Sequence, residues 1–295
     1  MTIALDYDYA KPATLAQAKK LLVKYKAPRV LAGGTDLVAW LVDGMVEPDI
    51  LVDIKGISSL SKIKVKGDVV TLGALVTFND LLESNVIAKR APMLQDMASK
   101  VASTGIRNRA TVLGNVCSAV PCCDAGPSLT VYDGQVHLSG PDGDRTVSLD
   151  DWFTGPRQTV RKATEIATAI SFTVPPKGSG AAWIKLGRYK GEDLAQASVA
   201  VLVKPGNVYK VAFGSVAPRP VRGVKIEQLM AGKPLTDELI AEAVKLLPES
   251  ISPITDVRST KEYRMQTMEV MLERGLKAAA SRAAGKGPKY GTSLI

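Results

Sequence analysis

The sequence predicts an α+β protein built from more than one unit, and three observations lead there. An apolar strand, a turn with paired glycines and a short helix run into a second strand before Gly56. A Pro-Pro-Lys-Gly-Ser-Gly run from Pro175 to Gly180 then breaks the chain. Beyond it, three strand-like runs precede two helical ones, the order of an α+β module.

The elements follow in order. "KPATLAQAKKLL" reads as a helix, "RVLAGG" as a strand entering a turn, "TDLVAWLVDG" as a helix and "DILVDI" as a strand, closing a first unit over 1–56. "LSKIKVKGDVVTLGALVT" reads as two strands joined at Lys66-Gly67-Asp68. "TFNDLLES" starts a helix capped by Thr77, and Ala91 to Ser103 continues helical. From Thr104 to Pro121 neither a helical nor a strand period is visible, so an ordered, irregular loop is expected, of a kind whose backbone groups a ligand can satisfy. Strands resume from Val136 to Val174 and close a second unit over 57–175. In the third, 176–285, "AAWIKLGR", "ASVAVLV" and "VYKVAFGSV" form an antiparallel sheet, followed by helices at Thr236 to Leu247 and Lys261 to Ala284. Residues 286–295 form a tail, and the basic stretch "LKAAASRAAGKGPKY" is expected as a fraying, solvated helix end.

Composition narrows the function. With 295 residues and 46% hydrophobic content the chain can bury substantial cores. The N-terminal residues lack a basic leader with an apolar core, and no segment offers about 18 consecutive apolar residues, so a cytoplasmic protein without a membrane span is expected. Cys117, Cys122 and Cys123 are too clustered to staple the chain and read as reduced thiols; the single histidine, His137, is too distant in sequence to complete a metal site with them. A net charge of +9 raises nucleic-acid binding as an alternative, yet the basic residues are spread along the chain with few aromatics among them.

The stretch "RVLAGGTDLVAWL" carries the sharpest local signal. Gly33-Gly34 is either a tight turn or an anion site; it is neither the G-x-G-x-x-G of a Rossmann fold nor a phosphate-binding P-loop. It does offer a row of amides at Gly33, Gly34, Thr35 and Asp36 at a helix start, which suits a pyrophosphate.

"LAGGTDL" (31–37), "TLGALVT" (71–77), "IRNRATVLGNVCSAVPCCDAGPSL" (106–129), "EIATAISFTVP" and "WIKLGR" occur in an order and spacing that resembles the FAD-binding subunit of molybdenum hydroxylases. That family includes the flavin subunits of xanthine dehydrogenase, carbon monoxide dehydrogenase and 4-hydroxybenzoyl-CoA reductase. The resemblance covers nearly the whole chain and implies a two-subdomain FAD-binding fold of the PCMH type, followed by a C-terminal antiparallel-sheet-plus-helices domain. It also implies an electron-transfer flavoprotein oxidoreductase subunit working between partner iron–sulfur clusters and an external acceptor such as NAD. The partners implied are a large molybdenum-cofactor subunit and a small 2Fe–2S subunit, with molybdenum and clusters held there only.

Carried onto this sequence, the family's first flavin loop falls on Val30, Leu31, Ala32, Gly33, Gly34, Thr35, Asp36 and Leu37, and its second on Thr111, Val112, Leu113, Gly114 and Asn115. Asp124 matches the acidic residue that contacts the nucleotide part, Val101 and Ala102 border the pocket, Ala167 and Lys185 match positions near the adenine or isoalloxazine, and Thr77 resembles a secondary contact. No catalytic residue and no metal ligand is assigned. Thr35-Asp36 stands where related oxidases attach flavin through a histidine, so the FAD is expected to be non-covalent. Leu113 departs from the family, which has glycine there; Gly114 and Asn115 are expected to keep the site, while a scaffold that has lost FAD is the alternative. On the residues alone, Asp124 reads as a cap of the helix "AGPSLTVY", Lys185 as a solvated strand residue and Cys122 and Cys123 as buried thiols; Tyr189 is a candidate to stack on flavin.

Overall fold

β1 (Asp8–Ala10) leads into α1 (Leu15–Lys24), which Thr14 caps by accepting a hydrogen bond from the Gln17 amide and which buries Ala18 and Leu22, one helical turn apart. β2 (Pro28–Leu31), α2 (Leu37–Val42) and β3 (Ile50–Asp53) follow, and the three strands pair in parallel in the order β1-β3-β2. All four residues of the central β3 are buried, as a parallel strand covered on both faces requires. These coordinates are a computed structural model that describes residues 6–189 and 191–295. The expected helix at Thr35-Asp36 starts later and is short: α2 begins at Leu37, and the Asp36 carboxylate makes no cap but accepts a 2.6 Å hydrogen bond from the Ser118 hydroxyl.

β4 (Ile63–Lys66) and β5 (Val69–Gly73) form a hairpin that turns through Gly67 at φ +59°, where a side chain would be strained. α3 (Phe78–Glu83) starts at a capping box between Thr77 and Asp80. α4 (Asn85–Arg90) and α5 (Met93–Ser99) follow, and the helical run ends at Ser99 instead of Ser103. The stretch from Thr104 to Pro121 corrects the expectation of an irregular loop: it holds α6 (Thr104–Arg107) and α7 (Val112–Ser118), too short to display a helical period in sequence. α8 (Ala125–Val131) is buried along its whole length. β6 (Gln135–Gly140), β7 (Gly143–Ser148), α9 (Leu149–Trp152), β8 (Phe153–Gly155), β9 (Gln158–Thr159) and β10 (Ile166–Thr173) complete this part. An antiparallel sheet forms in the order β4-β5-β10-β6-β7, while β8 and β9 make a separate hairpin arm.

After Pro175-Pro176, β11 (Gly180–Leu186), β12 (Ala197–Lys204), β13 (Val208–Gly214) and β14 (Val221–Arg222) form the expected antiparallel sheet. α10 (Val224–Met230), α11 (Asp237–Lys245), α12 (Leu247–Ser250) and the long α13 (Lys261–Ala283) follow. Alternation splits this sheet between two cores. Trp183, Ala200 and Leu202 join the apolar cluster beneath the N-terminal part, whereas Ile184, Val199 and Val201 join one with Met268, Leu272 and Leu276 of α13. Each such aliphatic side chain contributes about 1.5–3 kcal/mol relative to exposure.

The basic tail does not fray. The Arg282 guanidinium lies 4.0 Å from the Tyr290 ring centroid and donates to the carbonyls of Pro288 and Lys289. The Tyr290 hydroxyl accepts from the Ala181 amide at 3.1 Å, and the Gly291 amide donates to Asp96 of α5 at 2.6 Å. A cation over an aromatic face plus fixed polar contacts outweighs the freedom a short tail would otherwise keep. Tyr290→Ala is therefore expected to cost about 1–3 kcal/mol in urea unfolding of the full chain; an unchanged midpoint would show the docked tail to be energetically idle.

Candidate functional site

One large cavity, about 1100 Å³, opens between the parallel sheet, α7, the β8–β9 arm and the end of β11. It slightly exceeds the roughly 300–1,000 Å³ usual for small-molecule sites. The loop after β2 forms one wall. Gly33 is obligatory there for a packing reason: a Cβ at this position would sit 2.0 Å from the Arg109 carbonyl oxygen. Gly34 takes φ +81°. The loop therefore turns sharply while resting its backbone on the segment that leads into α7.

The amides from Ala32 to Asp36 are not hydrogen-bonded to any acceptor among the described residues, and Gly33 to Leu37 line the cavity. An anion or another acceptor is what such a row of donors lacks. On the facing wall, Thr111 caps α7 by accepting from the Gly114 amide at 3.0 Å. Asn115 turns its Oδ1 to the Ala125 amide, 3.1 Å away, and so caps α8. The Ser118 to Asp36 hydrogen bond ties the two walls directly. Thr77 stays off the cavity wall but pairs with Thr111 across an antiparallel bridge, with the Val112 amide donating to the Val76 carbonyl at 3.0 Å.

Asp124 is the buried acid of the site. It makes no helix cap; its Oδ2 accepts from Lys185 Nζ at 2.9 Å, with both side chains under a tenth exposed. Lys185 also donates to the Lys100 carbonyl at 3.0 Å, so it is not a solvated strand residue. Burial pushes the Asp124 carboxyl above the usual range, against the pull of Lys185. Asp124 Oδ1 is buried without a partner, an acceptor that a hydroxyl-bearing ligand in the cavity would satisfy.

The three cysteines are free thiols. Burial raises all three, Cys117 to about 11, so they stay protonated and poorly nucleophilic at neutral pH. Tyr189 stands at the cavity wall 60% exposed, with its hydroxyl donating to the Glu192 carbonyl at 2.7 Å.

Of the residues singled out in the sequence, Val30, Ala32, Gly33, Gly34, Thr35, Asp36, Leu37, Val101, Ala102, Thr111, Gly114, Asn115, Asp124, Ala167 and Lys185 line this one cavity. Leu31 and Thr77 do not: Leu31 closes β2, and Thr77 caps α3. Leu113 borders the cavity at 2% exposure and belongs to the apolar core. Sequence reasoning passed over Arg29, Trp40, Ser118, Arg157 and Arg161, which also line it. Arg157 sits at the turn of a hairpin arm whose short strands leave no period to read, and Arg161 lies just beyond that arm.

The loop at Gly33 resting on the backbone at Arg109, the cavity beside it and the buried acid–lysine pair at its wall suit a large ligand with anionic and hydroxyl groups. The chain belongs to the family described as the FAD binding domain in molybdopterin dehydrogenase, whose model matches residues 5–175, and residues 182–279 match the CO dehydrogenase flavoprotein C-terminal domain. It is 31% identical over 282 residues to the carbon monoxide dehydrogenase medium chain of Afipia carboxidovorans, covering 94% of this chain and 98% of that one. It is 30% identical to the nicotinate dehydrogenase FAD-subunit of Eubacterium barkeri, covering 90% and 93%. A solved carbon monoxide dehydrogenase from Hydrogenophaga pseudoflava superposes with a TM-score of 0.90 at 30% identity, covering 94% of this chain and 98% of that chain. The chain is thus an FAD-binding medium subunit of the molybdenum hydroxylase family.

Gly33→Ala forces the two loops apart and is expected to cost about 1–3 kcal/mol of stability, as other overpacked sites do. Thermal unfolding of the purified chain measures this, and a melting point equal to that of the parent would mean that the loops do not rest on each other.

Proposed function

We propose that this chain carries non-covalent FAD and passes electrons between the iron–sulfur clusters of a small 2Fe–2S subunit and an external acceptor such as NAD. Substrate chemistry is assigned to a large subunit holding the molybdenum cofactor. The observation that carries the reading is the contact of the glycine loop at Gly33 with the backbone at Arg109, which brings the free amides of the first loop and the start of α7 to one cavity. In this reading residues 1–56 and 57–175 are two FAD-binding subdomains, 176–285 is the C-terminal α+β domain and 286–295 is a tail docked on it.

The residues present suit the cofactor. The free amides of the first loop suit a diphosphate, and the orphaned Asp124 Oδ1 suits a ribityl hydroxyl. When bound, the flavin supplies hydride and single-electron chemistry, which no side chain can supply by itself. This chain's part is to bind, orient and shield. Asp124 accepts from the ligand, Lys185 holds Asp124 in place, and Tyr189 lines the cavity from the loop after β11. Thr35 and Asp36, in place of a histidine, offer no nitrogen for covalent attachment.

Purified full chain is expected to show flavin absorption in the visible range, and acid precipitation is expected to release free FAD into the supernatant. Colour that stays with the precipitate would contradict the non-covalent reading. A colourless chain that also fails to take up added FAD would favour the scaffold.

A further inference from the structure

The charge balance of the cavity points to residues outside the family's glycine loops. A diphosphate carries negative charge on each phosphate, yet residues 30–37 and 111–115 contain no basic side chain, and Asp36 adds a carboxylate of its own. Lys185 is engaged by Asp124 and by the Lys100 carbonyl. Three guanidinium groups line the same cavity, those of Arg29, Arg157 and Arg161, and none of them is ion-paired to a carboxylate among the described residues.

The three are not equivalent. Arg157, at the tip of the β8–β9 arm with φ 59°, is laid over the Trp40 ring at 5.6 Å and against the Met45 sulfur. Arg161 is fixed by donating to the carbonyls of Lys162 at 3.0 Å and Glu165 at 2.8 Å. The Glu165 carboxylate is taken by Arg145 at 2.6 Å. Burial lowers the proton affinity of Arg161, with the like charge of Arg29 adding to this and Cys117 and Glu165 opposing it. Arg29 and Arg161 thus line one cavity, and neither is ion-paired to a carboxylate among the described residues.

We propose that Arg29 and Arg161 supply the counter-charge that holds the cofactor diphosphate, an inference that rests on the FAD reading above. The amides of the first loop orient the phosphates, and the two guanidinium groups neutralise them. Arg161, held by two backbone carbonyls, is pre-organised for this role, and Arg29 reaches the cavity from the strand that feeds the loop.

The test uses the full chain freed of bound flavin and titrated with FAD, and separately with riboflavin, which has the same ring and ribityl chain and no phosphate. Arg161→Gln and Arg29→Gln are each expected to raise the Kd for FAD by at least about tenfold, to leave that for riboflavin unchanged and to flatten the salt dependence of FAD binding. Arg161→Lys, which keeps the charge, is expected to restore most of the FAD affinity. Equal weakening of FAD and riboflavin would mean a merely structural role, and unchanged FAD affinity in both glutamine variants would remove these residues from the site; either result overturns the proposal. A parent chain that binds neither flavin refutes the FAD reading itself, and this inference with it. A parent that binds FAD while the variants bind it equally well refutes the inference alone.

Discussion

The backbone contact between Gly33 and the Arg109 carbonyl is the constraint on which the rest of the site depends. It joins a loop from the parallel sheet to the segment that leads into α7, and it does so at a distance that admits no side chain at all. Close to that contact lie the unpaired amides after β2, the Thr111 cap of α7, and the Ser118 to Asp36 bond that ties the walls. α7 and α8, too short to be stable alone, lean on such contacts: Thr111 caps α7, and Asn115 of α7 caps α8.

The Asp124–Lys185 pair does for the C-terminal sheet what Gly33 does for the first loop. A buried ion pair is seldom a net gain in stability, because desolvation offsets most of the attraction. Here it links α8 to β11, and it leaves one carboxylate oxygen without a donor. An interior acceptor left open beside a cavity is a cost for the empty protein and an asset once a hydroxyl arrives. The thiols nearby have no such arrangement, and burial alone keeps them protonated.

Much of the architecture was legible because strand alternation and punctuation are local properties. The sheet of β11 to β13 follows from alternating runs, the break before it from Pro175-Pro176, and the β4–β5 turn from Gly67. What stayed hidden depends on distant partners. α6 and α7 are too short to show a period; Asp124 looks like a cap until Lys185 is brought to it; and Asn115, not Asp124, bonds the first amide of α8. The cavity residues of the glycine loops could be placed from the resemblance, whereas Arg157 and Arg161 sit at the turn of, and just beyond, an arm with no sequence pattern. The tail read as a solvated end because neither Ala181 nor Asp96 lies near Tyr290 and Gly291 in sequence.

The division of one sheet between two cores has a consequence for how the protein comes apart. Successive residues of β12 point alternately into the cluster under the flavin cavity and into the cluster beneath α13. Opening either core strips one face from the same strand, so neither can melt while the other stays whole. The amides of β12 should then be the last to exchange with solvent deuterium, and thermal loss of the cofactor cavity and of the long helix should coincide in a single transition.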